Sequence, residues 1–261
     1  MNPEGVVILI DENLTEDLKA KLQDWAERLR FPTTTDTTTI HLTFLNDRLV
    51  LRHRELPRMA PLEIDLVGGD LGHRRKYGRV GKNQLMGKAL GLAHSKHPRV
   101  LDATGGLGAD TFSMRLLGCS VLYVERSPVV FALFADAVER ARREVETAKL
   151  VGTDLSLHLG DARKLMSGLA HEERPDVVYL DPMFPPKKKT ALAKGEMQYL
   201  QKLFSQDETE AFKEARSLVE VALQSARRRV VVKRPLKAEP LRDGVNHVYR
   251  GTTIRYDVYH V

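Results

Sequence analysis

The chain has 261 residues, 42% hydrophobic and 29% charged, which suits one or two domains with buried cores and excludes a disordered chain. Lysine and arginine number 41 against 35 acids, a net charge of +6 that hints at a polyanionic partner. Cys119 is the only cysteine, so an internal disulfide is impossible and a reducing cytoplasm is expected.

The amino terminus has no basic leader, and its apolar run Val6–Ile10 is too short for a signal-peptide core. No segment approaches the roughly 20 apolar residues of a membrane helix, so no membrane partner is expected. Val6–Ile10 reads as a short strand. Leu14 to Leu29 carries Leu14, Leu18, Leu22, Trp25, Ala26 and Leu29 at helical spacing. Thr33–Thr39 is polar and reads as a loop. Thr39 to Arg54 alternates about Asn46-Asp47 and predicts a hairpin. Leu62–Leu66 alternates like another strand. Residues 1–68 thus form a small N-terminal α/β domain, followed by a larger one over 69–261.

From about residue 99 strands and helices alternate. Arg99–Ala103, Ser120–Glu125, Leu155–Leu159, Asp176–Leu180 and Arg229–Lys233 read as strands. Leu107–Leu117, Pro128–Leu150 and Glu208–Ala226 read as helices, with Pro128 suited to a first turn. His247–Tyr249 and Thr253–Tyr259 predict a terminal hairpin about Gly251. Apolar strands separated by helices imply a mostly parallel sheet covered on both faces.

The most informative stretch is Val100-Leu-Asp-Ala-Thr-Gly-Gly-Leu-Gly-Ala-Asp110. A strand feeding a glycine turn and a helix places backbone N–H groups and close-approach glycines (Gly105, Gly106, Gly108) at the carboxyl edge of the sheet. Glu125, 20 residues beyond Gly105, ends the next strand, where a carboxylate accepts from ribose hydroxyls. Asp161 follows the third strand and is placed to accept from an adenine amine. NAD would require a third glycine at 111, where Thr111 stands. Asp102 and Asp110 flank the turn, and acids there repel a pyrophosphate but suit a sulfonium or an amino group. S-adenosylmethionine is therefore the expected cofactor. No phosphate-binding G-x-x-x-x-G-K-[ST] loop is present, and one cysteine with scattered histidines gives no metal-ligand spacing, so no metal site is expected.

Val178-Tyr-Leu-Asp-Pro-Met-Phe-Pro185 ends the fourth strand of the set in an acid-proline-aromatic corner. Asp181 can accept one N–H of a flat exocyclic amine, the Pro182 carbonyl the other, and Phe184 can stack on the base. Such catalysis is alignment and charge placement. Three segments hold 15 of the 41 basic residues without an acid: His73–Lys82, Pro185–Lys194 and Arg227–Lys237. The first two border the site in sequence and suit a phosphate-binding rim through Arg74, Arg75, Lys76, Lys187, Lys188 and Lys189.

On Gly72-His-Arg-Arg-Lys-Tyr-Gly78, Leu101–Asp110, Val124-Glu-Arg-Ser-Pro-Val-Val130, Val178–Pro185 and Val230-Val-Val-Lys-Arg-Pro235, residues 69–261 resemble the ribosomal RNA small-subunit methyltransferase J family. The resemblance implies a class I Rossmann-like fold with a mostly parallel seven-stranded sheet and S-adenosylmethionine as methyl donor. It implies methylation of guanine N2 in 16S rRNA, free or within the small subunit. It also implies cofactor contacts at Ala109 and Asp110, Glu125 and Arg126, Asp161 and Ala162, and Asp181. The residues themselves leave other readings open: an amino-methyltransferase acting on another RNA, DNA or a protein glutamine, or a non-catalytic RNA-binding assembly factor.

Overall fold

The computed structural model describes residues 5–35, 40–53, 60–68, 84–93, 97–182, 199, 203 and 207–261. The chain divides into two compact units, the first including residues up to Ile64 and Pro128–Glu139, the second holding Asp65–Ser127, Arg140–Phe184 and Asp207–Val261. Among the described residues no helix is long and apolar enough to cross a membrane.

The first unit carries a four-stranded sheet in the order β2-β1-β3-β4, built from β1 (Val7–Leu9), β2 (Thr33–Thr34), β3 (Ile40–Leu45) and β4 (Arg48–His53). Helix α1 (Glu16–Leu29) buries Leu22, Trp25 and Ala26, and Thr15 caps it by accepting from the Leu18 amide. The predicted hairpin turns at Asn46 and Asp47, both with positive φ, which these residue types tolerate in a two-residue turn. Two expectations are corrected here. Thr33–Thr34 is not loop but a short strand pairing with β1. Leu62–Leu66 is not a strand: only Leu62 bridges Leu51. Downstream, the Asp65 carboxylate accepts from the Val67 and Gly68 amides, a local turn that competes with strand pairing.

The second unit carries a seven-stranded sheet. Its strands are β5 (Arg99–Asp102), β6 (Ser120–Glu125), β7 (Leu155–Leu159), β8 (Val177–Leu180), β9 (Arg229–Pro235), β10 (His247–Arg250) and β11 (Ile254–His260), in the order β10-β11-β9-β8-β5-β6-β7. β5 through β9 pair in parallel, and β11 runs antiparallel between β9 and β10. Its helices are α2 (Leu85–Leu90), α3 (Ala109–Leu116), α4 (Pro128–Arg143, shared between the units), α5 (Val145–Ala148), α6 (Ala162–Ser167) and α7 (Glu208–Ser225). α2 and α6 are too short to show a helical period in the sequence. The long helix expected over 128–150 is broken at Glu144, which adopts an extended conformation and precedes α5. The Thr147 hydroxyl donates to the Ala141 carbonyl there, giving the chain a local alternative to a continuous helix.

Side chains alternate across each strand, so register sorts them by face. Leu101, Val178 and Val230 lie in register and bury against α6 and α7 in one apolar cluster. Asp102, Tyr123 and Tyr179 lie in register on the other face. Two residues farther along their strands, the same parity brings Asp181 and Lys233 to that face. The strand order reverses between β5 and β8, and in open parallel sheets ligands bind in the crevice beyond the carboxyl ends at such a point.

Candidate active site

The glycine turn after β5 is shaped by one close approach and two left-handed residues. A Cβ on Gly105 would lie 2.2 Å from the ring of Tyr123, which is fully buried and donates its hydroxyl to the Gly106 carbonyl at 2.7 Å. Gly106 (φ +53°) and Gly108 (φ +79°) hold conformations that cost a side chain energy, and Gly108 caps α3. This is why α3 starts at Ala109 rather than at Leu107. The turn is fastened to β6: the Gly106 amide donates to Glu125 Oε2 at 2.9 Å, and the Ser127 amide donates to Oε1 at 2.7 Å. A carboxylate offers about four acceptor positions, so Glu125 retains capacity for hydroxyl donors. Burial pushes its carboxyl above the usual range, against the pull of these amides.

Asp102 is buried rather than exposed to the crevice. Its Oδ2 accepts from the Thr111 hydroxyl at 2.5 Å, and its Oδ1 from the Thr104 amide at 3.3 Å. Burial pushes its carboxyl up to about 7, with Asp110 and Asp181 adding to the rise. Thr111, which argued against NAD by not being glycine, is here the partner that holds Asp102.

Lys233 ties the site together. Its ammonium donates to Asp110 Oδ2 and to Asp181 Oδ2, both at 2.8 Å. Asp110 Oδ2 also accepts from the Tyr179 hydroxyl at 2.7 Å, and the Asp181 amide donates to the Thr104 hydroxyl at 2.6 Å. Burial and Asp110 raise the Asp181 carboxyl while Lys233 opposes them, leaving it at about 6. Burial pulls Lys233 down, but its two carboxylate partners outweigh this and hold it above its usual range. Two carboxylates, Asp110 and Asp181, thus share one ammonium, and the crevice favours a cation. Pro182 follows Asp181 at the mouth of β8.

Among the expected site residues, the structure brings Asp102, the glycine turn, Ala109, Asp110, Glu125, Asp181 and Pro182 to one sheet edge. Asp161 caps α6 and is joined to its own Arg163 at 2.7 Å, which, ahead of other causes, holds its carboxyl below the usual range. Ala162 is buried beside it. Arg126 pairs with Glu214 at 2.9 Å. Phe184, Arg74, Arg75, Lys76 and Lys187–Lys189 lie outside the described residues. Sequence reasoning missed Lys233 as a site residue. The signal was present: a charged residue near the carboxyl end of a strand that is otherwise buried on both faces faces the crevice.

A family model described as "Putative SAM-dependent methyltransferase" matches residues 24–261. The chain is 38% identical over 251 residues to ribosomal RNA small subunit methyltransferase J of Thioalkalivibrio sulfidiphilus, spanning 94% of each chain. It is 44% identical over 223 residues to the protein of that name from Nitrosococcus oceani, spanning 85% of this chain and 84% of the relative. The chain belongs to the ribosomal RNA small subunit methyltransferase J family. A solved SAM-dependent methyltransferase from Neisseria gonorrhoeae is 30% identical, with a TM-score of 0.74 over 97% of this chain and 95% of that one. The fold is accordingly the class I Rossmann-like methyltransferase fold, and the enzyme uses S-adenosylmethionine.

The residues fit that cofactor. Gly105, Gly106 and Gly108 leave three positions of the turn without a side chain, Glu125 ends β6 with acceptor capacity, and the acid excess around Lys233 suits a sulfonium and an α-ammonium group.

Proposed function

We propose that this enzyme methylates the exocyclic N2 of a guanine in small-subunit (16S) ribosomal RNA. The observation that carries the reading is Asp181, beyond the carboxyl end of β8 at the switch point, with one oxygen held by Lys233 and Pro182 next in the chain. The names of the family relatives, ribosomal RNA small subunit methyltransferase J, support the RNA target. Residues 1–68 are taken as a small extension of a methyltransferase domain over 69–261. The single buried Cys119 and an rRNA substrate fit action in the cytoplasm.

S-adenosylmethionine, when bound, supplies an electrophilic methyl group on a sulfonium. Glu125 accepts from ribose hydroxyls, and the Gly105–Gly108 turn lets the backbone approach closely. Asp161, Ala162, Ala109 and Arg126 border the same cofactor, and Asp110 and Asp102 supply negative charge toward its cationic end. Asp181 accepts one amine N–H and the Pro182 carbonyl the other, which turns the nitrogen lone pair out of conjugation and aims it. Phe184 stacks on the base, and Arg74, Arg75, Lys76 and Lys187–Lys189 contact phosphates. With its carboxyl at about 6, Asp181 can hold the proton released from the amine near neutral pH.

The test is methyl incorporation by the purified enzyme into small-subunit rRNA, transfer RNA and protein extract, followed by nucleoside mass spectrometry. The reading expects N2-methylguanosine from small-subunit rRNA alone. Methyl incorporation only into transfer RNA or protein would overturn it.

A further inference from the structure

The third basic segment, Arg227–Lys237, borders a second feature of the sheet edge that the methyl-transfer site does not use. After β9 the chain runs through Leu236-Lys-Ala-Glu-Pro240, and two buried arginines hold this loop by its backbone. Arg234, 4% exposed, donates to the Glu239 carbonyl through Nε at 3.3 Å and Nη2 at 2.9 Å. Arg255, 7% exposed, donates to the Leu236 carbonyl at 2.9 Å, and its Nε and Nη2 grip Asp257 at 2.6 and 3.0 Å.

Register places Arg250 opposite Arg255, and Arg255 opposite Arg234, so three arginines stand side by side across β10, β11 and β9 on one face. Like charges directly opposite one another destabilise a sheet. Asp257 offsets one of them. The row lies on the face opposite Lys233 but at the same end of β9, and Lys237 is at most ~13 Å along the chain from Lys233 by strand rise.

The loop and the row border an open groove of about 280 Å³, in which Lys237, Glu239, Arg250, Arg255 and Asp257 stand among apolar neighbours such as Val245 and Val248. Lys237 and Arg250 are exposed at its rim, and Glu239 is the one lining acid not already joined to Arg255.

We propose that this groove is a phosphate-binding subsite for the RNA backbone, in which Lys237 and Arg250 contact phosphates of the strand leaving the methyl-transfer site. The subsite rests on the rRNA reading above. Arg234 and Arg255 act as positioning residues that hold the loop open, and Glu239 sets an upper limit on affinity by repelling the same phosphates.

The test measures binding of a single-stranded ten-uridine RNA to the full-length enzyme saturated with S-adenosylhomocysteine, between 50 and 300 mM KCl. Each phosphate contact on a single strand contributes about 0.7 to the slope of log affinity against log salt. Lys237→Ala/Arg250→Ala should flatten the slope by about 1.4 and leave S-adenosylhomocysteine affinity unchanged, while Glu239→Gln should tighten RNA binding about threefold. A wild-type slope in the double variant, with its fold intact by circular dichroism, overturns the subsite. Methyl incorporation into small-subunit rRNA is read separately and should show a raised KM with kcat retained. If the wild-type enzyme fails to methylate that RNA while the double variant still flattens the uridine slope, the rRNA reading fails and the phosphate site stands.

Discussion

Lys233→Met separates alignment by Asp181 from mere structural support. Methionine keeps the unbranched apolar stem but removes the ammonium that Asp110 and Asp181 share at 2.8 Å each. At that distance a charge pair is worth ~6 kcal/mol at an effective dielectric of about 20 and ~1.5 kcal/mol in bulk water. The Asp181 side chain is 40% exposed, so solvent screening favours the lower figure. A loss of ~1.5 kcal/mol moves a titration by about one pH unit. Asp181 titrates at about 6 with Lys233 in place, so its protonated form, uncharged and a weaker acceptor, should persist to about neutrality in the variant. The assay is kcat/KM for methyl transfer to small-subunit rRNA from pH 5 to 9. Wild-type activity should fall as pH drops through about 6. The variant should fall about one unit higher, losing roughly 2-fold at pH 7, approaching roughly 10-fold at pH 5 and lying within a few-fold of wild type at pH 9. S-adenosylmethionine affinity should hold or improve, because the crevice becomes more negative. Superimposable acidic limbs would refute the coupling of Lys233 to Asp181.

Gly105→Ala drives a Cβ into the fully buried Tyr123 ring and breaks its bond to the Gly106 carbonyl; overpacking and the lost bond together cost about 2–4 kcal/mol, seen as a Tm lower by ~5–15 °C and weaker cofactor binding in calorimetry. Asp102→Asn should stabilise the cofactor-free enzyme above pH 7. The Asp102 carboxyl is raised from its unfolded value to about 7, so its contribution is fully present below the unfolded value and is lost as pH rises through about 7. Differential scanning should show a Tm higher by a few degrees at pH 8, a gap that closes at pH 4, with cofactor affinity reduced. Glu125→Gln leaves an amide oxygen for one backbone donor but loses charge toward ribose hydroxyls; the cofactor Kd should rise about 10- to 100-fold by titration calorimetry.

The parallel sheet, the glycine turn and the helix start at Pro128 were legible because each rests on local chemistry: buried strands are near-continuously apolar, Gly106 and Gly108 need positive φ, and Pro128 suits a first helical turn. Glu125 was legible from its distance to the turn. Its bond to the Gly106 amide was not, because it depends on how β6 pairs beside β5. Asp102 read as facing the cofactor, since sequence alone cannot show that Thr111, in the first turn of α3, reaches back to it. Lys233 escaped notice because its partners lie 123 and 52 residues away in sequence. The short α2 and α6 carry too few residues to display a period, and the break at Glu144 arises from a Thr147 hydroxyl bond rather than from glycine or proline.

The most direct test compares wild type with Asp181→Ala in two measurements on the same protein: S-adenosylmethionine binding by calorimetry and N2-methylguanosine formation in small-subunit rRNA by nucleoside mass spectrometry. The account predicts that the variant binds the cofactor within a few-fold of wild type and forms at least 100-fold less methylated guanosine per minute. A variant that methylates at a wild-type rate would remove Asp181 from the reaction and contradict the account.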